Sequence, residues 1–350
     1  MTDIVIAGRK INRKEPPYMI AELSGNHGGN LDRARRMLDA AKQAGADAAK
    51  LQTYTPDTMT IDHAGPGFDI TEGLWANRRL YELYQEAHTP FEWHGPLFAH
   101  ARDIGLTIFS TPFDNSAVEL LEDLEAPAFK IASFEMVDTG LIARAAKSGK
   151  PVIMSTGLCS LSDIEEAVAA VGSCPFMLLQ CTSGYPTPAA QANLRRMDFL
   201  ANHFGCSVGL SDHTKDVHVA AAAVARGAVV VEKHFTLDRN GVGSDNDFSL
   251  EPDEFRRLVD TCRDVHAALG AADFRQQESE QAAADHRRSL YVVADVGAGD
   301  VIGETDIRSI RPGFGLPPKH LSEVLGRRAA RDLKRGEPLA WEMVEDAVGI

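Results

Sequence analysis

Three lysines and two histidines stand at the ends of short apolar runs, where charged or metal-binding side chains are uncommon. Lys50, Lys130 and Lys233 each follow apolar residues, and a buried lysine is costly unless an anion pairs with it. Such lysines can hold a phosphate or a carboxylate, and a desolvated lysine can also act as a Schiff-base nucleophile. His213 and His234 follow two successive runs, so their imidazoles can share one divalent cation. The residue types therefore predict an anion site beside a metal site.

Carboxylates and hydroxyls occupy equivalent places at the other runs. Glu22 and Glu135 are candidate acid or base groups, and Asp212 is a candidate acceptor that orients the imidazole of His213. Three hydroxyl groups can help the lysines to bind an anion, namely Ser133, Ser155 and Thr182. The competing structural interpretation is that the lysines form buried ion pairs with neighbouring glutamates and that each histidine makes ordinary hydrogen bonds. The equivalent positions of the two histidines favour the metal site.

Eight short apolar runs must position these side chains, and amphipathic segments of helical period lie between them. The runs are Tyr18 to Ala21, Ala46 to Leu51, Leu106 to Phe109, Ala128 to Ile131, Val152 to Met154, Phe176 to Leu179, Val208 to Leu210 and Ala228 to Val231. Strands that are buried on both faces have such continuous runs, and their alternation with helices predicts parallel pairing. Polar groups at the carboxyl ends of the strands are typical of the catalytic face of a (β/α)8 barrel. We therefore predict an α/β protein built on this barrel.

Two stretches depart from the repeating pattern. Residues 1–17 alternate apolar and polar residues before a Pro-Pro pair, which predicts a hairpin that covers the bottom of the barrel. The connection from Thr53 to Phe91 is far longer than an ordinary loop, so we expect it to form part of the substrate pocket. Within this connection, the aromatic spacing from Trp75 to Trp93 predicts a helix that packs its aromatic side chains.

The C-terminal part of the chain has a different composition. Asp273 to Arg288 is polar and charged, and an internal repeat follows, in which residues 295–307 resemble residues 332–344 at an offset of 37 positions. Short apolar pairs between glycine turns predict a compact β-rich module. The predicted domains are a catalytic barrel with its N-terminal hairpin at 1–270, a linker at 271–288 and a small β-rich domain at 289–350.

Length and charge exclude several classes of protein. A chain of 350 residues can hold one barrel of about 250 residues and a small module. The net charge of -14 and the pI near 5.3 argue against a nucleic-acid or anionic-membrane partner. Five cysteines without a C-x-x-C pair fit reduced thiols, and no long apolar segment or leader is recognisable. We therefore expect a cytoplasmic protein with no nucleic-acid or membrane partner.

Longer motifs surround the polar strand ends. They are Ala21-Glu-Leu-Ser-Gly-Asn-His27, Lys50-Leu-Gln-Thr-Tyr-Thr-Pro-Asp57, Lys130-Ile-Ala-Ser-Phe-Glu135, Cys181-Thr-Ser-Gly-Tyr-Pro-Thr-Pro188, Gly209-Leu-Ser-Asp-His-Thr214, Glu232-Lys-His-Phe235 and Arg311-Pro-Gly-Phe-Gly-Leu316. In these motifs the chain resembles the sialic acid synthase family over essentially its whole length. The first two of these motifs and the insertion Gly73-Leu-Trp75 are similar to the corresponding segments in the branch of that family that makes pseudaminic acid.

The resemblance implies a TIM barrel joined to a C-terminal SAF domain, which is an antifreeze-like, β-clip domain. It also implies a homodimer in which each C-terminal domain lies over the partner's barrel. The implied transferase reaction condenses phosphoenolpyruvate with an N-acetylated sugar aldehyde and water, giving a nonulosonic acid and phosphate. In the pseudaminic branch the sugar is 2,4-diacetamido-2,4,6-trideoxy-L-altrose, and the product serves surface or flagellin glycosylation. The implied cofactor is a divalent metal, Mn2+ or Mg2+.

The resemblance also implies roles for individual residues. The implied metal ligands are His213 and His234. The implied catalytic groups are Glu22, Glu135, Lys50 and Lys130. The residues implied around phosphoenolpyruvate are Glu22, Lys50, Thr111, Lys130, Ser133, Ser155, Ser183 and Ser211. The residues implied around the sugar are Gln52, Glu135, Tyr185, Asp245 and Arg311, and the resemblance implies that this arginine comes from the partner's C-terminal domain.

Three other functions stay open at this point. An N-acetylneuraminate or legionaminic acid synthase would run the same reaction on N-acetylmannosamine or another diacetamido sugar. A Schiff-base aldolase that uses Lys50 or Lys130 would consume pyruvate and would survive EDTA. A carbohydrate- or ice-binding role for the C-terminal module would leave the polar strand ends without a purpose. Acceptor tests and phosphate release from phosphoenolpyruvate discriminate between these functions.

Overall fold

Eight parallel strands close into a barrel in the computed structural model, which describes residues 4–345. Each strand pairs with its neighbours in the chain, and the eighth pairs with the first. In chain order the barrel strands are Tyr18–Glu22, Ala48–Thr53, Thr107–Pro112, Phe129–Ile131, Val152–Ser155, Phe176–Cys181, Ser207–Asp212 and Val230–His234. Every predicted apolar run overlaps one of these strands, so the predicted barrel is confirmed. Residues 1–3 and 346–350, at the ends of the predicted domains, lie outside the described residues.

Helices surround the barrel, with one main helix after each strand. They are Leu31–Gln43, Phe91–Asp103, Asn115–Asp123, Thr139–Ala146, Leu161–Val171, Arg195–Phe204, His218–Ala225 and Pro252–Ala268. Several begin at a capping residue; Asn30, Asp114 and Ser160, for example, each accept a hydrogen bond from a backbone N–H of the first turn. The apolar helix faces pack against the strands and form the larger hydrophobic core. Within residues 4–345 no helix combines the length and the apolar character needed to cross a membrane.

A second core fills the interior of the barrel. The N-terminal hairpin pairs Ile4–Ile6 antiparallel with Arg9–Ile11, and it contributes three isoleucine side chains to this core. They belong to one cluster with Tyr18, Ala48 and Val230, which come from the beginnings of barrel strands. The hairpin therefore plugs the amino-terminal end of the barrel, as the alternating pattern predicted. The polar strand ends lie at the opposite end.

The register of the strands brings the polar ends to one level. Glu22 pairs in register with Lys50 on one side and with His234 on the other. Ser211 pairs in the same way with Glu232. Register partners in parallel strands point to the same face of the sheet, and successive residues along a strand point to opposite faces. These five side chains therefore point together into the barrel.

The long connection after the second strand folds into small elements of its own. They are a short helix, Pro56–Met59, a two-stranded hairpin, Asp69–Ile70 with Arg78–Arg79, and a helix, Leu80–Ala87. The prediction of one helix from Trp75 to Trp93 is therefore wrong. The chain turns at Asn77, whose φ of 66° is not helical. Pro90 separates Leu80–Ala87 from the next helix, because proline disfavours helical backbone in the residue before it.

The chain divides into two compact units after Gly270. In the second unit Ser289–Val292 pairs antiparallel with Ile307–Ile310. Its short helical segments are Glu278–Glu280, Gln281–Ala284, Pro318–His320, Leu321–Val324 and Trp341–Met343. The predicted repeat is visible in the pairing, because Val296 and Leu333, which are equivalent positions, exchange backbone hydrogen bonds with each other. This unit has its own apolar core.

Candidate active site

A cavity of about 640 Å³ opens at the carboxyl ends of the barrel strands. Interior side chains of the strands form its floor, and the loops that follow the strands form its walls. Met59, Ile70, Trp75 and Tyr84 line it, so the predicted contribution of the long connection is confirmed. A cavity of this volume lies in the usual range for small-molecule sites.

Four charged side chains form a buried network at the cavity floor. The ammonium group of Lys50 forms an ion pair with Glu22 and donates a hydrogen bond to Thr111 Oγ1 at 2.9 Å. Glu232 lies between the two lysines, with Oε1 at 3.8 Å from Lys50 Nζ and at 3.6 Å from Lys130 Nζ. Burial lowers the pKa of Lys130. Burial acts on Lys50 in the same direction, but Glu22 and Glu232 outweigh it and raise the pKa of Lys50.

Burial raises the pKa values of two carboxyl groups in the cavity. It raises the pKa of Glu22 in spite of the ion pair with Lys50, and it raises the pKa of Glu135 to about 7. Glu22 Oε1 accepts a hydrogen bond from the backbone N–H of Ser24 at 3.0 Å. Glu135 lies in the turn Ser133–Glu135 after the fourth strand, and its Oε2 has no hydrogen-bond partner among the described residues. Glu135 therefore has the freer carboxylate of the two.

Several buried polar atoms of the cavity have no hydrogen-bond partner among residues 4–345. They include Glu135 Oε2, Ser155 Oγ, Glu232 Oε2 and His234 Nδ1. Most buried polar groups in folded proteins are paired, and an unpaired one costs about 1–3 kcal/mol. Their convergence in one cavity indicates that a polar ligand completes their bonding. The two lysines on the floor favour a ligand that carries negative charge.

Hydroxyl groups converge around Gly157, in the loop after the fifth strand. The backbone N–H of Gly157 donates a hydrogen bond to Ser133 Oγ at 3.0 Å. A Cβ atom on Gly157 would lie 2.3 Å from Ser183 Oγ and 2.7 Å from Ser133 Oγ, so a larger residue does not fit unless these groups move. Ser155 and Ser211 line the cavity nearby. These serines supply a set of donors that suits the oxygen atoms of an anion.

The imidazoles of His213 and His234 lie side by side, with their ring centroids 5.4 Å apart. His213 Nδ1 donates to the carbonyl oxygen of Thr182 at 2.9 Å, which leaves the lone pair on Nε2 free. Burial and the neighbouring His213 hold the pKa of His234 well below its usual value, so this ring is neutral. Burial alone would lower the pKa of His213, but the contact of this ring with Cys181 Sγ at 3.9 Å outweighs burial, so the pKa of His213 is raised. Tyr185 packs against His213 with ring centroids 4.4 Å apart.

The two rings fit a labile divalent cation better than a structural metal site. Among residues 4–345 no group of three or more His, Cys, Asp or Glu side chains is placed to hold a metal ion. Two imidazole nitrogens leave the remaining coordination positions to water and substrate oxygen. Asp245 Oδ2 lies 3.7 Å from His234 Nδ1 and adds a carboxylate beside the rings.

Asp245 is held by a network that ties two loops together. Its backbone N–H donates to Asn26 Oδ1 at 3.0 Å, and its carboxylate accepts a hydrogen bond from Ser24 Oγ. Asn26 Nδ2 also donates to the carbonyl oxygen of Phe235 at 3.0 Å and to Ser249 Oγ at 2.8 Å. The loop after the first strand therefore fixes an acidic group in the cavity wall.

Most of the residues that the sequence singled out meet in this cavity. Twelve of them line it: Glu22, Lys50, Gln52, Lys130, Ser133, Glu135, Ser155, Tyr185, Ser211, His213, His234 and Asp245. Thr111 bonds to Lys50 from behind the lining, and Ser183 lies beside Gly157. Arg311 belongs to the second unit, where its side chain is exposed.

Lys233 does not reach the cavity, so the prediction that it binds an anion is wrong. It lies between two residues that point inward, and strand alternation turns it to the outer face of the barrel. There Lys233 Nζ lies 2.8 Å from Asp212 Oδ2 and also bonds to the carbonyl oxygen of Thr214. Asp212 therefore pairs with Lys233 and does not orient His213, which bonds instead to the carbonyl oxygen of Thr182. Thr182 does not line the cavity, and its hydroxyl donates to the backbone carbonyl of Gln191 at 2.9 Å, so its predicted role at the anion is wrong too.

Glu232 and Trp75 belong to the site in ways that the sequence did not predict, because it indicated Glu232 only as a glutamate for buried ion pairs and Trp75 only as part of a packing helix. Glu232 is more than an ion-pair partner, because it lies near both floor lysines and accepts a hydrogen bond from Ser211 Oγ at 3.3 Å. Its position two residues before His234 places it on the same interior face, and this spacing is the signal that could have identified it. Trp75 lines the cavity from an irregular segment, where no periodic pattern marks it.

Comparisons with known proteins agree with this geometry. The sequence matches the NeuB family over residues 37–274 and the SAF domain over residues 287–345. It is 42% identical over 331 residues to the pseudaminic acid synthase of Campylobacter jejuni, covering 94% of this chain and 96% of that protein. It is 33% identical to the N,N'-diacetyllegionaminic acid synthase of Legionella pneumophila, covering 97% of this chain and 99% of that protein.

A solved structure supports the same assignment. The crystal structure of the N-acetylneuraminic acid synthetase of Leptospira borgpetersenii in complex with citrate aligns with a TM-score of 0.73 at 33% identity, over 81% of this chain and 95% of that one. The resemblance to sialic acid synthases that the motifs indicated is thereby confirmed. The chain belongs to the NeuB family and carries a SAF domain in its C-terminal part.

Proposed function

We propose that this protein acts as a pseudaminic acid synthase. It condenses phosphoenolpyruvate with the open-chain aldehyde of 2,4-diacetamido-2,4,6-trideoxy-L-altrose and water, giving pseudaminic acid and phosphate. The observation that carries the proposal is the set of two buried lysines and several unpaired polar atoms in the same cavity as two adjacent imidazoles. This arrangement supplies an anion site next to a site that can activate a carbonyl group. The higher identity to the pseudaminic relative than to the legionaminic relative supports this acceptor.

Lys50 and Lys130 bind the phosphate and the carboxylate of phosphoenolpyruvate. The serines around Gly157, together with Ser211, donate hydrogen bonds to the same oxygen atoms. Because this floor is buried, its charges act with little screening by water and stabilise charge that moves during the reaction. As C3 of phosphoenolpyruvate bonds to C1 of the sugar, positive charge develops at C2. Glu232, already in place between the lysines, offsets that charge.

His213 and His234 would hold the divalent cation, Mn2+ or Mg2+, which supplies Lewis-acid polarisation of the sugar aldehyde when it is bound. Neighbouring residues fix the orientation of the His213 ring. The carbonyl oxygen of Thr182 fixes the tautomer of His213, and Tyr185 packs against its ring. Gln52 and Asp245 also line the cavity and offer polar contacts to the sugar.

Glu135 accepts the proton of the water that adds to C2. Its pKa of about 7 matches this role at neutral pH, it lines the cavity, and its Oε2 has no partner among the described residues. Glu22 is less available, because it is bound to Lys50 and to the backbone of Ser24. The resulting tetrahedral intermediate loses phosphate by cleavage of its C–O bond, and Glu135 returns its proton to the departing oxygen. The second proton of the water leaves the C2 hydroxyl as the ketone forms, and it balances the proton that the C1 alkoxide takes up to become a hydroxyl group.

We also infer a homodimer in which each SAF domain lies over the partner's barrel and lends Arg311 to the sugar's N-acetyl group. Exposed apolar side chains at the loops after the fourth and fifth strands support a covered barrel mouth; Phe134 is 59% exposed, Val137 67% and Leu158 72%. The proposed domain bounds are 1–270, 271–288 and 289–350. Five free cysteines support a cytoplasmic location.

Phosphate release from phosphoenolpyruvate tests the proposal directly. We expect release with Mn2+ and the altrose sugar, loss of release with EDTA, and far slower release with N-acetylmannosamine. Release with N-acetylmannosamine alone would assign the protein to the neuraminate branch. Borohydride trapping of pyruvate on the enzyme, without phosphate release, would instead establish a Schiff-base aldolase.

A further inference from the structure

We propose that an apolar wall formed by Met59, Ile70, Trp75, Leu80 and Tyr84 selects the acceptor sugar by contacting its C6 methyl group and the methyl of its C4 acetamido group. All five residues belong to the long connection after the second strand, and all five line the cavity. The inference rests on the proposed function and goes beyond it, because it assigns the choice of sugar to this apolar wall.

The chemistry of the altrose sugar and of N-acetylmannosamine, the candidate acceptor that lacks these two methyl groups, motivates the assignment. N-acetylmannosamine carries a hydroxyl group at C4 and a hydroxymethyl group at C6. The altrose sugar carries an acetamido group at C4 and a methyl group at C6, so it presents more apolar surface at the end remote from its aldehyde. An apolar wall stabilises such groups, whereas a hydroxyl group that it covers loses hydrogen bonds to water.

The position of the apolar wall fits the remote end of the sugar. The aldehyde must lie at the imidazoles and next to the anion site, because C1 reacts there. The centroid of the Tyr185 ring lies 4.4 Å from that of His213, and the centroid of the Trp75 ring lies 6.0 Å from that of Tyr185. Trp75 is thus separated from the metal-binding ring by a single aromatic side chain. A sugar whose C1 is at His213 extends its C4 to C6 end along this aromatic path towards the apolar wall.

The apolar wall is fastened to the barrel and so can discriminate by shape. Trp75 Nε1 donates a hydrogen bond to the carbonyl oxygen of Ser244 at 2.9 Å, which links it to the loop that carries Asp245. The carbonyl oxygen of Ile70 accepts a hydrogen bond from the backbone N–H of Asn77 at 2.8 Å. The first bond ties Trp75 to the loop after the eighth strand and the second closes the hairpin that carries Ile70, so the tryptophan ring has a defined position.

The expected discrimination follows from known pocket energetics. One apolar group gained or lost in a hydrophobic pocket changes kcat/KM by about 10- to 200-fold. Apart from their configurations, the two sugars differ in their substituents at two positions, C4 and C6, so the apolar wall should contribute a preference of at least about 100-fold for the altrose sugar. Removing the largest side chain of the apolar wall should remove at least about 10-fold of that preference.

Three variants test the assignment in the full-length protein. Trp75→Ala removes the ring, Ile70→Thr keeps the branched shape but adds a hydroxyl group, and Leu74→Ala is the matched control. Leu74 neighbours Trp75 but is 42% exposed and does not line the cavity. For each protein, kcat/KM is measured with the altrose sugar and with N-acetylmannosamine, and KM is measured for phosphoenolpyruvate.

We expect Trp75→Ala and Ile70→Thr to lower the ratio of kcat/KM for the altrose sugar to kcat/KM for N-acetylmannosamine, with the larger effect in Trp75→Ala. KM for phosphoenolpyruvate should stay unchanged in both variants. In the control Leu74→Ala the ratio should stay at its wild-type value. An equal loss of kcat/KM with both sugars, or an unchanged ratio in both variants, would contradict the assignment of sugar selection to the apolar wall. Either result would leave the proposed reaction intact. If Trp75→Ala does not fold, shown by loss of thermal stabilisation by phosphoenolpyruvate, Ile70→Thr decides the question. A wild-type protein that turns over neither sugar would contradict the proposed function itself.

Discussion

Replacing Lys233 with methionine should destabilise the barrel without removing a ligand of phosphoenolpyruvate. Lys233 and Asp212 form a salt bridge of 2.8 Å, and their side chains are 0% and 1% exposed. Lys233 also bonds to the carbonyl oxygen of Thr214, so it anchors the turn that follows His213. Methionine has a similar length but no charge, and it would leave the carboxylate of Asp212 buried without its cation.

The magnitude follows from the burial of the pair. Breaking a buried ion pair by removing one partner costs about 3–5 kcal/mol, because the remaining charge is uncompensated. For a domain of this size each kcal/mol lowers Tm by roughly 2–4 °C, so the barrel should lose roughly 6–20 °C. The double variant Lys233→Met with Asp212→Leu should recover a large part of this loss, because it removes the stranded charge as well.

Thermal and urea unfolding of the single and double variants measure the effect, and calorimetric titration measures binding of phosphoenolpyruvate. The variants should bind phosphoenolpyruvate with wild-type affinity at temperatures where they are folded. A Tm within about 2 °C of wild type, combined with weakened binding of phosphoenolpyruvate, would refute this reasoning. That result would show that Lys233 binds the anion and that its side chain does not point to the outer face of the barrel.

Other predictions test individual groups of the site. His213→Ala should weaken Mn2+ binding by at least about 100-fold, as read from the electron paramagnetic resonance of free Mn2+; an unchanged Kd would contradict the ligand assignment. Burial raises the pKa of Glu135 to about 7, and only the ionised carboxylate accepts a proton. As the pH increases past about 7, kcat should therefore increase, and this increase should be absent in Glu135→Gln. The raised pKa of Glu135 should also make the folded state less stable as the pH rises from 4.5 to about 7, because in this range the folded state keeps a proton that the unfolded state has lost. The midpoint of urea unfolding should therefore fall over this pH range. A midpoint that does not change with pH, or whose pH dependence is the same in Glu135→Gln, would contradict this prediction. An equimolar, fully exchanged mixture of His213→Ala and Arg311→Ala subunits should recover about a quarter of wild-type activity, because about half of its dimers are hybrids and each hybrid has one intact site; no recovery would exclude an arginine that acts across the dimer.

The barrel is predictable from the sequence because its strands are buried on both faces. Continuous apolar runs such as Val152 to Met154, when they alternate with amphipathic helices, are typical of parallel strands covered on both sides. The ends of the same runs predict most of the site, because the carboxyl ends of parallel strands meet at one face. Glu22, Lys50 and Lys130 are found together for this reason.

The failures have a common physical origin in side-chain direction. Glu232, Lys233 and His234 are consecutive, and a strand can point only the first and the third into the barrel. Treating Lys233 and Asp212 as groups that face the site, without regard to strand alternation, therefore misplaced both of them. Strand alternation, applied to each run of the sequence, separates the inward from the outward residues.

The long connection is harder to predict for a different reason. Its helix, Leu80–Ala87, has a periodic pattern, but the segment before it depends on turns at Gly73 and Asn77 and on bonds to distant loops. The hydrogen bond from Trp75 to Ser244 spans 169 positions and leaves no trace in local spacing. Such contacts decide which side chains line the cavity, so the apolar wall is visible only in the folded chain.

The fate of the bridging oxygen of phosphoenolpyruvate tests the central claim most directly. The protein is incubated with Mn2+, the altrose sugar and phosphoenolpyruvate that carries ¹⁸O between C2 and phosphorus, and both products are measured by mass spectrometry. We predict a nine-carbon acid with the mass of pseudaminic acid and no label from this oxygen, together with labelled phosphate, because the C–O bond breaks. Label retained in the acid, or pyruvate in place of the nine-carbon acid, would contradict the proposed condensation.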